Sequence, residues 1–316
     1  MMINADKPQL WKQDIVKSVD LFNNWFIKFA PKTYRDTRKQ TTEQVINAIN
    51  LTENLTNITI KSLNDHPEVL PILRMSTSPP LARDRLIGLA HANKNLVKKM
   101  EEGVIAVQMD EDELNRNLDK ICKIIHELLD TDIFPWLTIK KKPTKLEKER
   151  ASTIVADRLC GAVANPIIRN AQEQRQLALI GKYLKKLGYK QEYHLSGTPI
   201  TEIPPGTFSF RMNVPSGKEK NINIPVDVVI QPKKLRRSKL PILIEAKSAG
   251  DFTNVNKRRK EEATKMRQLK AAYGSEIQLI LFLCGYFDAG YLGYEAAEGL
   301  DWIWEHRIED FKKLRI

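Results

Sequence analysis

Apolar residues recur every three to four positions through the first half of this chain and at strand-like spacing through much of the second. Trp11, Ile15, Val19, Phe22 and Phe26 fall on one stripe and predict an amphipathic helix; Val45 and Ile49 predict another that ends near Leu51. The run LNDHPEVLPILRMSTSPPLARDRLIGLA opens with an Asn/Asp cap and is broken by Pro71 and by Pro79-Pro80. A further helix is expected from Asp112 to Leu129, after an acidic run suited to a helix N-terminus. The charged, proline-bearing segment KKKPTKLEKER (140–150) reads as a linker in which a short helix could begin. Beyond it, Asn170 to Leu187 predicts a helix stopped by Gly188. Strand patterns follow at 207–214, 221–230 and 240–248, then a helix from about Val255 to Tyr273 stopped by Gly274. The buried run QLILFLCGYF predicts one more strand, and Leu300 to Leu314 reads as a final amphipathic helix carrying Trp302, Trp304, Phe311 and Leu314, as core or dimer surface. A meander of three strands, a crossover helix and a fourth strand imply an α/β (α+β) core with a central mixed sheet flanked by helices. An all-α domain over residues 1–150 precedes that core, which occupies 151–316.

Composition excludes some classes. With 316 residues, 42% hydrophobic and 28% charged, the chain suits a soluble globular protein. No apolar run reaches membrane-span length and the N-terminus lacks the core of a secretory signal, so a cytoplasmic location is expected. Cys122, Cys160 and Cys284 are widely separated, which argues against a disulfide framework or a zinc site. The net charge of +12 is localised: residues 1–150 carry 24 Lys/Arg and 21 Asp/Glu, whereas residues 231–270 carry 13 and four. A concentration of this kind is either a solvated face or the footprint of a polyanion, most simply nucleic acid.

That basic region surrounds an unusual strand. In PILIEAKS (241–248), Glu245 and Lys247 share one face of an otherwise aliphatic run, and burying two charges is costly unless they are paired. They form either a strand-end salt bridge or part of a site. Upstream, Asp227 sits among valines in NINIPVDVVI, on the same face as Val229 by alternation. If these strands are neighbours, Asp227, Glu245 and Lys247 converge. Two carboxylates suit a hard cation such as Mg²⁺, with Mn²⁺ as a substitute. The lysine would position an attacking water and offset charge on a phosphate. Glu173 extends the apolar stripe Leu177, Ile180, Leu184 and Leu187, so it is either a first-turn acid favourable to its helix or an accessory metal ligand.

Pro225-Val226-Asp227, 17 further residues, then Glu245-Ala246-Lys247 resembles the PD-(D/E)xK nuclease motif, with a valine inserted between the proline and the aspartate. More broadly, INADKPQLWKQDI, FAPKTYRDTR, LRMSTSPPLARDRLIGLA and IEAKSAGDFTNVNKRRKEEATKMRQLKAAYG resemble the XamI-type family of type II restriction endonucleases. The resemblance implies a restriction-endonuclease-like core and Mg²⁺-dependent cleavage of both strands of duplex DNA at a short sequence. It further implies metal binding by Asp227 and Glu245, a catalytic role for Lys247, and a companion methyltransferase in a restriction–modification system. A homodimer is expected because two-fold proteins match palindromic sites. A repair or structure-specific nuclease, or an inactive DNA-binding protein, stand as alternatives.

Several basic residues are candidates for DNA contact. Lys257, Arg258, Arg259 and Lys260 open the helix after the motif strand, with Lys265 and Gln268 further along it. Lys233, Lys234, Arg236 and Arg237 occupy the connection between the two motif strands and either clamp phosphates or face solvent. Arg74, Arg83 and Arg85 flank the Pro79-Pro80 turn of the helical domain, where they either reach bases or form salt bridges with Asp84. That domain is accordingly expected to serve DNA recognition or dimerisation.

Overall fold

A computed structural model describes every residue except Met1, 106–107, 195–197, 217–221, 235–238 and 254; the side chains of 222 and 255–259 also lie outside the description. Contacts divide the chain into two compact units, one of Ala30–Ile168 and one of Met1–Phe29 with Arg169–Ile316. Two long helices, α1 (Pro8–Leu51) and α8 (Lys145–Lys186), contribute residues to both. Each absorbs what the sequence suggested were separate pieces. The expected linker at 140–150 runs into α8, which continues through the helix expected at 170–187, and neither Pro31 nor Pro166 ends its helix.

The helical unit adds α2 (Ile60–Asp65), α3 (Leu70–Met75), α4 (Arg83–Ala90), α5 (Lys94–Glu101), α6 (Glu111–Leu128) and α7 (Trp136–Ile139). Local chemistry starts several of them. Thr59 and Ser62 form a reciprocal capping box on α2, and the Asn93 and Asp110 side chains cap α5 and α6. One apolar core joins them, with Val45, Leu73, Leu96, Ile121, Phe134 and Trp136 among its fully buried members. Arg74 is buried at the end of α3. Its guanidinium makes two 2.6 Å bonds to Glu101 and a further bond to the Leu81 carbonyl. Of the two alternatives for Arg74, the structure has the ion pair, made with Glu101 rather than Asp84, and its donors brace the fold. Arg83 pairs at the surface with Asp84 at 3.6 Å, and Arg85 is exposed.

The second unit is built on a mixed six-stranded sheet ordered β1-β2-β3-β4-β5-β6: Lys190–Gln191, Thr207–Ser216, Ile222–Gln231, Ile242–Ala249, Gln278–Gly285 and Asp301–Trp304. The β2–β3–β4 meander is antiparallel; β1 joins β2, and β5 and β6 follow β4, all in parallel. Helix α9 (Val255–Tyr273) is the crossover between β4 and β5, and α10 (Ala289–Ala297) the one between β5 and β6. Neither α10 nor β6 is expected from the sequence pattern. The segment expected as a terminal helix is instead β6 followed by a 3₁₀ helix, Glu305–Leu314. Trp302, Ile303 and Trp304 alternate between the sheet's faces, and Phe311 and Leu314 are buried core. One face packs Ile242, Ile244 and Phe282 against Leu177, Ile180 and Leu184 of α8. The other packs Leu243 and Leu279 against Met266 and Leu269 of α9. All three cysteines are free and buried, and among the described residues no helix is long and apolar enough to cross a membrane.

Candidate active site

The sheet comes apart at one point. β3 pairs with β2 over nine positions and β4 with β5 over eight, but β3 and β4 pair over only three, Val228↔Ile244 to Ile230↔Ile242. The next residues in that register are Asp227 and Glu245. Strand alternation also breaks there. Val226 and Val229 both join the core beside α9, whereas Val228 and Ile230 join the core beside α8. Sharing a face with Val229 therefore does not follow for Asp227. Across β2, Arg211 falls opposite Asp227 and takes φ +52°, a left-handed conformation unfavourable for a non-glycine residue. It turns β2 over: Phe208 and Phe210 pack on the α8 side, Met212 and Val214 on the α9 side.

The freed edges carry the chemistry. Asp227 Oδ2 accepts a 2.8 Å bond from the Ala246 amide, the residue between Glu245 and Lys247. Side chains from two strands and from α9 then form a chain of charge. Lys247 Nζ is 3.0 Å from Glu245 Oε1 and 3.3 Å from Glu262 Oε1. Lys265 Nζ is 2.7 Å from the same Glu245 oxygen and also donates to the Pro225 carbonyl at 3.1 Å, bridging β3 and β4. The second Glu245 oxygen, Oε2, is buried and unpartnered.

Electrostatics follow from this crowding. Burial and the facing Glu245 carboxylate push the Asp227 carboxyl up to about 6, against a lowering by the Ala246 amide and Lys247. Burial by itself would lower the Lys247 ammonium, but Glu245 and Glu262 outweigh it and raise that group. An acid on the verge of ionisation, beside a carboxylate oxygen with no donor, is a receptive pair for a divalent cation. The donor set fits: both ligands are hard oxygens, and Mg²⁺ is commonly held by one or two carboxylates with water and phosphate completing the shell. Among the described residues no group of three His, Cys, Asp or Glu side chains gathers as a metal site.

Other expected residues are placed more widely. Glu173 on α8 is partly exposed and paired with Arg211 at 2.7 Å; its charge also raises Asp227 slightly. Lys260 and Lys234 are exposed. Lys233 donates to the Leu187 carbonyl at 2.6 Å and lies over the Tyr189 ring, and Gln268 is half-buried on α9. The side chains of Lys257, Arg258, Arg259, Arg236 and Arg237 lie outside the described residues. Sequence reasoning placed Lys265 on a DNA-facing surface and missed Glu262, Tyr291 and Glu295. Glu262 lies three residues before Lys265 and four before Met266 on the sheet-facing side of α9. That signal was readable but looked like part of a charged helix face.

Two carboxylates and an ammonium at a strand fork are an arrangement suited to metal-assisted hydrolysis of a phosphodiester. The comparisons agree with this class: the XamI restriction endonuclease family model matches residues 53–304, and the chain belongs to that family. It is also 56% identical to the type II restriction enzyme SalI of Streptomyces albus G over 311 residues, which cover 98% of this chain and 99% of the relative. No solved structure matches.

Proposed function

We propose that this chain is a type II restriction endonuclease that cuts both strands of duplex DNA at a short defined sequence, with Asp227, Glu245 and Lys247 as its catalytic residues. Family membership and the full-length similarity to a type II restriction enzyme support the activity. The observation that carries the site is the fork: Asp227 and Glu245 face each other where β3 and β4 stop pairing, and Lys247 touches Glu245.

In this reading Asp227 and Glu245 hold Mg²⁺, which when bound supplies Lewis-acid charge at the scissile phosphate. The residues around it have separable tasks. The Ala246 amide fixes the Asp227 carboxylate. Lys247 holds its ammonium at the edge of the acid pair, where it orients the attacking water and offsets charge on the phosphate. Glu173, paired with Arg211 beside the break, is an accessory acid. The restriction-endonuclease-like identity of the core rests on the order of strands and the motif. The basic segment from Lys233 to Lys260, including Lys234, Arg236, Arg237, Lys257, Arg258 and Arg259, contacts the DNA backbone. The helical unit, with Arg83 and Arg85 at its surface, serves recognition or dimerisation. A homodimer would match a two-fold DNA site, and a methyltransferase would protect host DNA.

The test is digestion of a sequenced plasmid with Mg²⁺, followed by mapping of the ends. Discrete fragments with one common end sequence are expected. Smearing, nicking, or cutting confined to branched DNA would move the protein to repair chemistry. No cleavage under any divalent cation would leave only DNA binding.

A further inference from the structure

Behind the acid–lysine pair lies a second layer that the proposed mechanism does not use. Glu262 on α9 is fully buried, which a helical glutamate seldom is unless it is paired. One of its oxygens is 3.3 Å from Lys247 Nζ, and the other accepts a 2.7 Å bond from the Tyr291 hydroxyl on α10. Glu295, one turn along α10 from Tyr291, is also fully buried, and burial together with the Glu262 charge pushes its carboxyl up.

We propose that Glu262, oriented by Tyr291, is a positioning residue that holds the Lys247 ammonium in place for cleavage.

The physical case is one of charge supply. Among the described residues Lys247 pairs with two anions, Glu245 and Glu262. Glu245 also faces Lys265, and in the reading above its charge is committed to Mg²⁺. Glu262 is then the anion left to anchor Lys247, and an unanchored ammonium on a four-carbon stem would sample many rotamers. Glu262 needs a fixed orientation in turn. The Tyr291 hydroxyl donates to one oxygen and so fixes the carboxylate plane. The arrangement repeats a general pattern in which a reacting group is held by a second group that is itself oriented by a third. A purely structural role predicts otherwise. Leucine or methionine would fill a buried position without the desolvation of two carboxyls.

This inference rests on Lys247 being catalytic as proposed above, and the experiment separates the two. Single-turnover cleavage and DNA affinity in Ca²⁺ are measured on the duplex that the wild-type enzyme cuts, for Lys247→Ala, Glu262→Gln, Glu262→Asp, Tyr291→Phe and the double variant Lys247→Ala with Glu262→Gln. Glu262→Gln should slow cleavage about 10- to 100-fold, the range for groups that orient others, with DNA affinity within about twofold of wild type. Glu262→Asp should recover part of the rate, and Tyr291→Phe should lose less than Glu262→Gln. The double variant should cut no slower than Lys247→Ala alone, since two residues acting through one ammonium are not additive. Wild-type cleavage by Glu262→Gln and Tyr291→Phe beside an inactive Lys247→Ala would overturn the inference and leave the active site standing. Wild-type cleavage by Lys247→Ala would overturn both. If Glu262→Gln fails to fold, Tyr291→Phe and Glu262→Asp decide, and wild-type rates in both would sink the proposal.

Discussion

Buried charge is handled in opposite ways in the two units. In the helical unit Arg74 and Glu101 form a one-to-one, two-bonded pair, and the third guanidinium nitrogen donates to a carbonyl. In the sheet unit, among the described residues, four carboxyls, Asp227, Glu245, Glu262 and Glu295, gather near two ammoniums, Lys247 and Lys265. The imbalance leaves oxygens without donors and pushes two of the acids up in pKa. A matched pair has what it needs for stability. A surplus of negative charge is costly to the fold and useful to an enzyme that binds a cation, because the ligand completes the balance.

The contrast can be broken most severely at either end. Lys247→Ala should lower single-turnover cleavage on the order of 10²–10⁴-fold, the span for a group that moves or orients a proton, and should also lower the melting temperature because it leaves the fully buried Glu262 without its cation. Arg74→Met should cost stability and leave catalysis alone. It leaves the half-buried Glu101 without its partner and should cost about 1–3 kcal/mol in chemical denaturation, while the folded fraction cuts at nearly the wild-type rate. If the folded fraction of Lys247→Ala cuts at the wild-type rate and that of Arg74→Met does not, the assignment of roles is reversed.

A smaller effect concerns pH. A carboxyl raised in the folded state binds its proton more tightly there than in the unfolded chain. Stability of the metal-free protein therefore falls as pH rises from the unfolded value of 3.8 through about 6. Mg²⁺ requires the ionised pair, so its stabilising effect should be small at pH 5 and several-fold larger at pH 8, read as the shift in melting temperature. Equal shifts at the two pH values would mean that Asp227 ionisation does not limit binding. By the same reasoning Asp227→Asn should abolish cleavage yet raise the metal-free melting temperature at pH 8, by ~2–4 °C if about 1 kcal/mol of repulsion is relieved. The smallest expected change is in DNA affinity. Alanine at both Arg83 and Arg85 should weaken binding modestly and flatten the salt dependence by about one phosphate contact per arginine. An unchanged salt slope would remove that surface from the DNA interface.

Much of the sheet was readable because each strand announces itself locally. The meander, the crossover helix ending at Gly274 and the strand QLILFLCGYF follow from spacing and from glycine as a stop. The apolar set Trp302, Trp304, Phe311 and Leu314 suggests a helix, but Trp302 and Trp304 are two apart, and the burial of four consecutive residues, Asp301 to Trp304, marks a strand that pairs with the neighbouring β5. The long helices extend past their apolar stripes: α1 joins the stripes around Trp11–Phe26 and Val45–Leu51, α8 joins the expected linker to the 170–187 helix, and neither Pro31 nor Pro166 ends its helix.

The sequence by itself determined the ingredients: an acid, an acid and a lysine on two adjoining strands, a basic surround, and the likeness to a nuclease family. Pattern and residue chemistry are local properties, so they survive without coordinates. Only the tertiary structure decided that β3 and β4 separate at Asp227 and Glu245, that Arg211 turns β2 over opposite them, and that Glu262, Lys265, Tyr291 and Glu295 close around the lysine. Those groups lie on a crossover helix and the helix after it, distant in sequence, and whether a charge on a helix meets water or another charge depends on what packs against it.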